Sequence, residues 1–158
     1  MSSIVQPLLM MLLFLASASA SAQWRYWQET DKMRDNITKF AELKSTNRIQ
    51  LDFPYRGGST LRLVIRKTGQ EDESIFVLLD RGQLSCHSDC KIAAKIDSAP
   101  VVEWGGSSPV TSNSVIFIGQ RINLLNDIRS AKKMVIEVQV YDHGPAQFVF
   151  NSPGLRWE

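Results

Sequence analysis

The stretch MVIEVQVYDHGPAQFVF, residues 134–150, decides the fold. Met134, Ile136, Val138 and Val140 alternate with Val135, Glu137, Gln139 and Tyr141, the period of two that sends successive side chains to opposite faces of a strand. Phe148 and Phe150 repeat the pattern against Gln147 and Asn151. Between the two runs, Asp142-His-Gly-Pro145 is turn chemistry, so the stretch predicts a β-hairpin.

Working outward from that hairpin, the period changes only once. Ile122, Leu124, Leu125 and Ile128 recur at helical spacing between Gly119 and Lys133, and Lys132 with Lys133 would complement the C-terminal end of a helix dipole. Everything upstream reads as short strands between turns. Val115–Ile118 follows residues 105–114, the longest loop signal, which opens on Gly105 and Gly106 after a short strand Val101–Trp104. Ile92, Ala94 and Ile96 alternate with Lys91, Ala93 and Lys95. Residues 74–79, SIFVLL, are apolar on both faces, as in a strand covered from both sides. Leu61, Leu63 and Ile65 face away from Arg62 and Arg66, and Ile49, Leu51 and Phe53 alternate with Arg48, Gln50 and Asp52. Residues 23–46 are assigned to strands turning at Asp35-Asn36, although Met33, Ile37, Phe40 and Ala41 also fit a helix. The expectation is a mainly β protein: an antiparallel β-sandwich or partly open barrel of about eight strands with one amphipathic helix in its C-terminal half.

The first residues have a different character. Residues 4–15 are an uncharged apolar run, too short to span a bilayer, and Ala20-Ser-Ala22 has the small-x-small form of a signal-peptidase site. Residues 1–22 are therefore read as a signal peptide, and residues 23–158 as a single β-rich domain that works in the periplasm or is secreted. After cleavage the product would not be an integral membrane protein. With 18 Lys and Arg interleaved among 16 Asp and Glu, the chain has no concentrated basic field, so nucleic acid is not an expected partner.

The two cysteines, Cys86 and Cys90, have three residues between them. In an oxidising compartment so close a pair is read as a disulfide closing a tight loop. A redox pair, or a soft-metal site that also uses His87, are the alternatives. Catalytic candidates are sparse, because His87 and His143 are the only histidines and Glu71, Asp72 and Glu73 sit in a turn. Gly57-Gly58 and Gly105-Gly106 precede no helix, as a phosphate-binding loop would. No catalytic residue, metal site or cofactor is expected, and the protein is read as a non-enzyme. Trp24, Tyr26 and Trp27 form either an N-terminal strand packed on the core or an exposed aromatic patch. Together with Trp104, Gly105 and Gly106 they are the candidate partner or ligand surface.

Trp24 and Trp27, Asp31-x-Met33, Phe53-Pro-Tyr-x-Gly-Gly58, Leu61-x-Leu63, Gly82-Gln-x-x-Cys86 to Cys90, Ala131-Lys-Lys133, Phe148-x-Phe150 and Gly154-Leu155 together resemble a group of small exported β-rich proteins of Gram-negative bacteria. In layout the chain is more distantly similar to periplasmic accessory proteins of type VI secretion and to the invasion-associated locus B group. The matching motifs are turns, a cysteine pair and core aromatics, so they imply an architecture and carry no active site across. The functional expectation is an exported, non-enzymatic protein-binding or accessory protein of the cell envelope, its partner an envelope or extracellular protein. The alternatives are an inhibitor or immunity-type protein against a cell-wall hydrolase, with the cysteine loop or residues 105–114 as its plug, and a small-ligand or carbohydrate-binding module.

Overall fold

The computed structural model describes residues 24–119 and 123–158. The signal-peptide reading of residues 1–22 and the helical assignment of Ile122 fall outside them. The described chain is mainly β: nine antiparallel strands in one open sheet, and one short helix. The strands are β1 (Arg25–Asp31), β2 (Asn36–Lys44), β3 (Leu61–Thr68), β4 (Ser74–Leu79), β5 (Cys90–Ile96), β6 (Val102–Ser107), β7 (Val115–Ile118), β8 (Lys133–Val140) and β9 (Gly144–Asn151). Helix α1 is Leu124–Ser130. The spatial order is β1-β2-β3-β4-β7-β6-β5-β8-β9, so the strands hydrogen-bond into one sheet, not the two of a sandwich.

The hairpin over residues 134–150 forms, with Ile136 opposite Phe148 and Met134 opposite Phe150. Asp142 and Gly144 turn the chain with φ of 59° and 88°. Residues 25–44 are likewise a strand pair, closed by Asp31, whose carboxylate accepts from the Met33 and Arg34 amides at 2.8 and 3.3 Å. An Asp that binds the backbone two and three residues on holds a turn, and this one prevails over the helical spacing that begins at Met33.

Three expectations are corrected. Arg48–Phe53 is not a strand: it keeps a single bridge, Ile49 to Ser59, because residues 45–60 leave the sheet to reach β9 and return. The helix covers only seven residues. Lys132 and Lys133 lie beyond it, where their backbone amides donate to the Asp97 carboxylate at 3.0 and 2.8 Å. Finally, β4 buries one face only. Ile75, Val77 and Leu79 point inward, while Phe76 and Leu78 are half-buried on the outer face, Phe76 beside Phe117 at a centroid distance of 5.1 Å.

Parity sends the apolar residues of β2–β9 to one side, and they merge into one cluster with Leu124 and Ile128 of α1 and with Trp24, Leu155 and Trp157. A sheet can give all its strands a common core only by curling, and the ends of this one approach each other. Thr46 N donates to the Val149 carbonyl at 2.7 Å, Asn47 Nδ2 to the Gln147 carbonyl at 2.9 Å, and Val149 N to Asn47 Oδ1 at 2.7 Å. Trp24 Nε1 donates to the Ser152 carbonyl at 3.0 Å, tying the start of β1 to the chain just past β9. Each large aliphatic or aromatic side chain buried here contributes about 1.5–3 kcal/mol.

Gly105 and Gly106 stand side by side in β6 on opposite faces, and they should respond differently to a methyl group. A Cβ on Gly106 would lie 2.6 Å from Ile116 Cγ2 and 3.2 Å from Cys90 Sγ, whereas a Cβ on Gly105 meets nothing within 4 Å. Gly106→Ala should cost about 1–3 kcal/mol by overpacking. Gly105→Ala should leave the urea midpoint near wild type, so equal midpoints for the two variants would contradict this packing.

Candidate functional site

Four connections gather at one end of the sheet. The first is the disulfide loop: Cys86 and Cys90 are bonded, with Cα atoms 5.4 Å apart, and Cys90 opens β5. The second, residues 108–114, lies against it, with Ser108 N donating to the His87 carbonyl at 2.9 Å and Leu84 N to the Asn113 carbonyl at 2.6 Å. The β8–β9 turn joins through Tyr141 N, which donates to the Gln83 carbonyl at 2.8 Å. The fourth, residues 52–58, joins through Gln83 Nε2, which donates to Tyr55 Oη at 3.2 Å. Residues 83–85 are thus the hub of this end, and the two segments proposed separately as plugs are neighbours.

Two hollows open between these loops. One, of about 510 Å³, lies between Cys86, His87 and Ser88 on one side and residues 108–113 on the other. The other, of about 200 Å³, is lined by Phe53, Pro54, Tyr55, Gln83, Tyr141 and His143 among others. Val110 projects with its side chain wholly exposed, and Phe53 and Tyr141 are 79 % and 68 % exposed. Val110 lies within the 105–114 loop that the sequence marks as a plug, whereas Phe53 and Tyr141 are not among the residues singled out from sequence. The signal shared by all three was an apolar or aromatic residue beside turn chemistry, Pro54, Pro109 and Asp142, where no core face calls for one.

The residues singled out from sequence are dispersed. Trp104 is buried against the core at 2 % exposure and Trp24 at 8 %, so neither offers a face on which a ligand could stack. Gly106 is buried, and only Gly105 of that pair meets solvent; both belong to β6, so the loop is shorter than residues 105–114. Tyr26 and Trp27 lie on β1, far along the sheet order from β6. Trp27 stacks on Phe40 at 4.7 Å with planes 5° apart, Arg25 sits 4.7 Å from its ring centroid, and Nε1 donates to Glu29. An open groove of about 610 Å³ runs beside these residues and the chain end at Leu155–Glu158. His87 and His143 line different hollows, and among the described residues no group of three or more His, Cys, Asp or Glu is placed to hold a metal ion.

A linked set of ion pairs joins the outer face of β1–β3 to Asp80, just past β4. Glu42 takes Arg25 at 3.3 Å and Arg62 at 3.1 Å, Arg62 Nε lies 2.6 Å from Asp80, and Lys44 reaches Asp80 at 3.2 Å. The Arg62–Asp80 contact is an ion pair without an aligned hydrogen bond, and the Thr60 hydroxyl donates to the same carboxylate. Burial alone would push the Asp80 carboxyl up; the Thr60 and Lys44 hydrogen bonds and the field of Arg62 outweigh it and hold the group below its ordinary value of 3.8. The Glu73 carboxyl is lowered too, first by its hydrogen bond from Lys67. These groups brace the sheet, and none of them faces the loop-end hollows.

Among the described residues no helix is long and apolar enough to cross a membrane. Compared with protein-family models, curated proteins and solved structures, the chain matches none of them.

Because the folded Asp80 titrates below the unfolded group, its contribution to stability is complete above pH 3.8 and is lost as pH falls through the lower folded value. Asp80→Asn should therefore lower the urea midpoint at neutral pH, and the gap to wild type should narrow by about pH 3. A gap that is the same at both pH values would remove Asp80 from the acid response.

Proposed function

We propose that this chain is an exported, non-enzymatic protein-binding or accessory protein of the bacterial cell envelope, and that it offers its loop end to an envelope or extracellular protein. The observation that carries the reading is the concentration of exposed apolar side chains there, Phe53, Val110 and Tyr141, on loops tied together by backbone hydrogen bonds and by the Gln83–Tyr55 side-chain bond. Apolar groups held in water on a braced surface are what protein interfaces use as anchors. The apolar run of residues 4–15 with its Ala20-Ser-Ala22 site supports a periplasmic or secreted location, and so does the disulfide. The hydrogen bonds between residues 46–47 and β9 support reading the curled sheet as a partly open barrel, a frame that leaves its loop end free for contact.

The inhibitor reading has one observation in its favour. Pro109-Val110-Thr111 projects from a base fastened to the disulfide loop, the geometry of a plug for a concave site. Carbohydrate stacking is the weaker alternative, since Trp24 and Trp104 are core residues and Trp27 is stacked on Phe40.

Affinity capture from periplasmic extract should recover a partner with wild-type protein and lose it with the folded Val110→Asp, Tyr141→Ser double variant. No partner under gentle conditions, or equal capture by both proteins, would set the loop-end reading aside. For the inhibitor reading, activity of purified cell-wall hydrolases should fall on titration with wild-type protein and recover at least about tenfold in inhibitory concentration with Val110→Asp, the change expected from losing an anchor side chain. Hydrolases that keep full activity would exclude it.

A further inference from the structure

The two edges of the sheet are treated differently. At β9 the outer edge is occupied: the Gln147 and Val149 carbonyls and the Val149 amide take partners from Thr46 and Asn47, and Pro145 removes a donor. At β1 the chain past β9 reaches only a side chain, with Tyr26 Oη donating to the Gly154 carbonyl at 3.4 Å and accepting from Arg156 N at 2.8 Å, and the backbone edge is left open. Its seven residues run in unbroken register with β2 on one side, and none of Arg25–Asp31 is fully buried. Among the described residues no group outside β2 hydrogen-bonds the backbone of residues 25–30. The strand has no Pro, no Lys and no bulge, and its charged side chains are Arg25, Glu29 and Asp31.

The sequence of β1 is complementary to itself. A two-fold axis through Gln28, perpendicular to the sheet, places Arg25 opposite Asp31 of a second copy, Tyr26 opposite Thr30, Trp27 opposite Glu29, and Gln28 opposite Gln28. This register keeps outer-face residues on the outer face, pairs all seven residues and opposes no like charges. Shifting the axis to Glu29 would set that carboxylate against its own copy, and shifting it to Trp27 would leave Thr30 and Asp31 unpaired. Trp27 Nε1, which already donates to Glu29 of its own strand at 3.2 Å, would lie beside the second copy's Glu29 as well.

We propose that β1 is a homodimerisation edge, at which two copies of this chain pair antiparallel about Gln28 and continue one sheet into the other. Strand pairing alone buries less surface than an obligate dimer does, so the association is reversible. It leaves the loop end of each copy free, and two copies would present that end twice.

Sedimentation velocity of the mature chain over a range of concentrations should show a monomer–dimer equilibrium. Gln28 is exposed, so its substitution does not enter the core. Gln28→Lys and Gln28→Glu, each placing like charges across the axis, should weaken the dimer at least about tenfold when tested singly. An equimolar mixture of the two variants should restore it as a heterodimer. Gln28→Cys should form an intermolecular disulfide in air, because residues facing each other across an antiparallel pair fall within bridging distance, whereas Glu103→Cys on β6 should not. A wild-type chain that sediments as a monomer throughout, a Gln28→Lys chain that dimerises as wild type does, or a mixture that fails to recover association would each overturn the proposal. Capture of a foreign strand by a monomeric wild-type chain would do so too.

Discussion

A single antiparallel sheet can bury one of its faces only by turning that face upon itself, and the hydrogen bonds from Thr46 and Asn47 to β9 are where this chain meets that requirement. They fill backbone groups that an edge strand would otherwise leave to solvent, and they bring the N-terminal strands over the C-terminal hairpin. Trp24 and Trp157, close to opposite ends of the described chain, then share one core with Phe148 and Phe150. Without that contact the inward faces of β2–β4 and of β5–β9 would each lack part of their cover.

The closure also explains why the sheet tolerates so much charge. Glu42, Arg62, Asp80, Lys44 and Arg25 occupy the outer face near the curled end, linked pair to pair, so that a half-buried guanidinium has carboxylates on both sides. Pairs as exposed as Lys91–Glu103 contribute little, whereas a linked set around Glu42 and Asp80 resists removal of any one member. The ion pairs brace one part of the sheet, while Phe53, Val110 and Tyr141 stand exposed on the loops at its end.

What could be read from sequence follows from what sets each element. A strand with strict alternation of burial and a neighbour on both sides, such as β8, was legible because burial of one face is written in every second residue. Arg48–Phe53 alternates as cleanly, yet its pairing depends on whether an edge is vacant, which periodicity does not encode. The helix shrank for a related reason: Lys132 and Lys133 looked like dipole partners until Asp97, some 35 residues earlier in the chain, claimed their amides. At the candidate site the cysteine pair was legible from spacing. Trp104 misled, since an aromatic beside two glycines suits an exposed loop as well as a strand end that packs tightly because its neighbour has no side chain. Val110 was legible only as part of the 105–114 loop, and Phe53 and Tyr141 were not legible, because their meaning rests on four segments distant in sequence arriving at one place.

The bond from Trp24 to Ser152 spans 128 residues, and the seal on β9 spans about a hundred. Contacts so remote make the last step of folding a late one. A chain delivered N-terminus first, from a ribosome or through a narrow conduit, holds strands β1–β4 without the surface that is to cover them until residues 147–157 have emerged. During that interval the bare strand β1 and the inner face of β2 are exposed together, so the period of delivery, more than the finished structure, sets the demand for a holding chaperone.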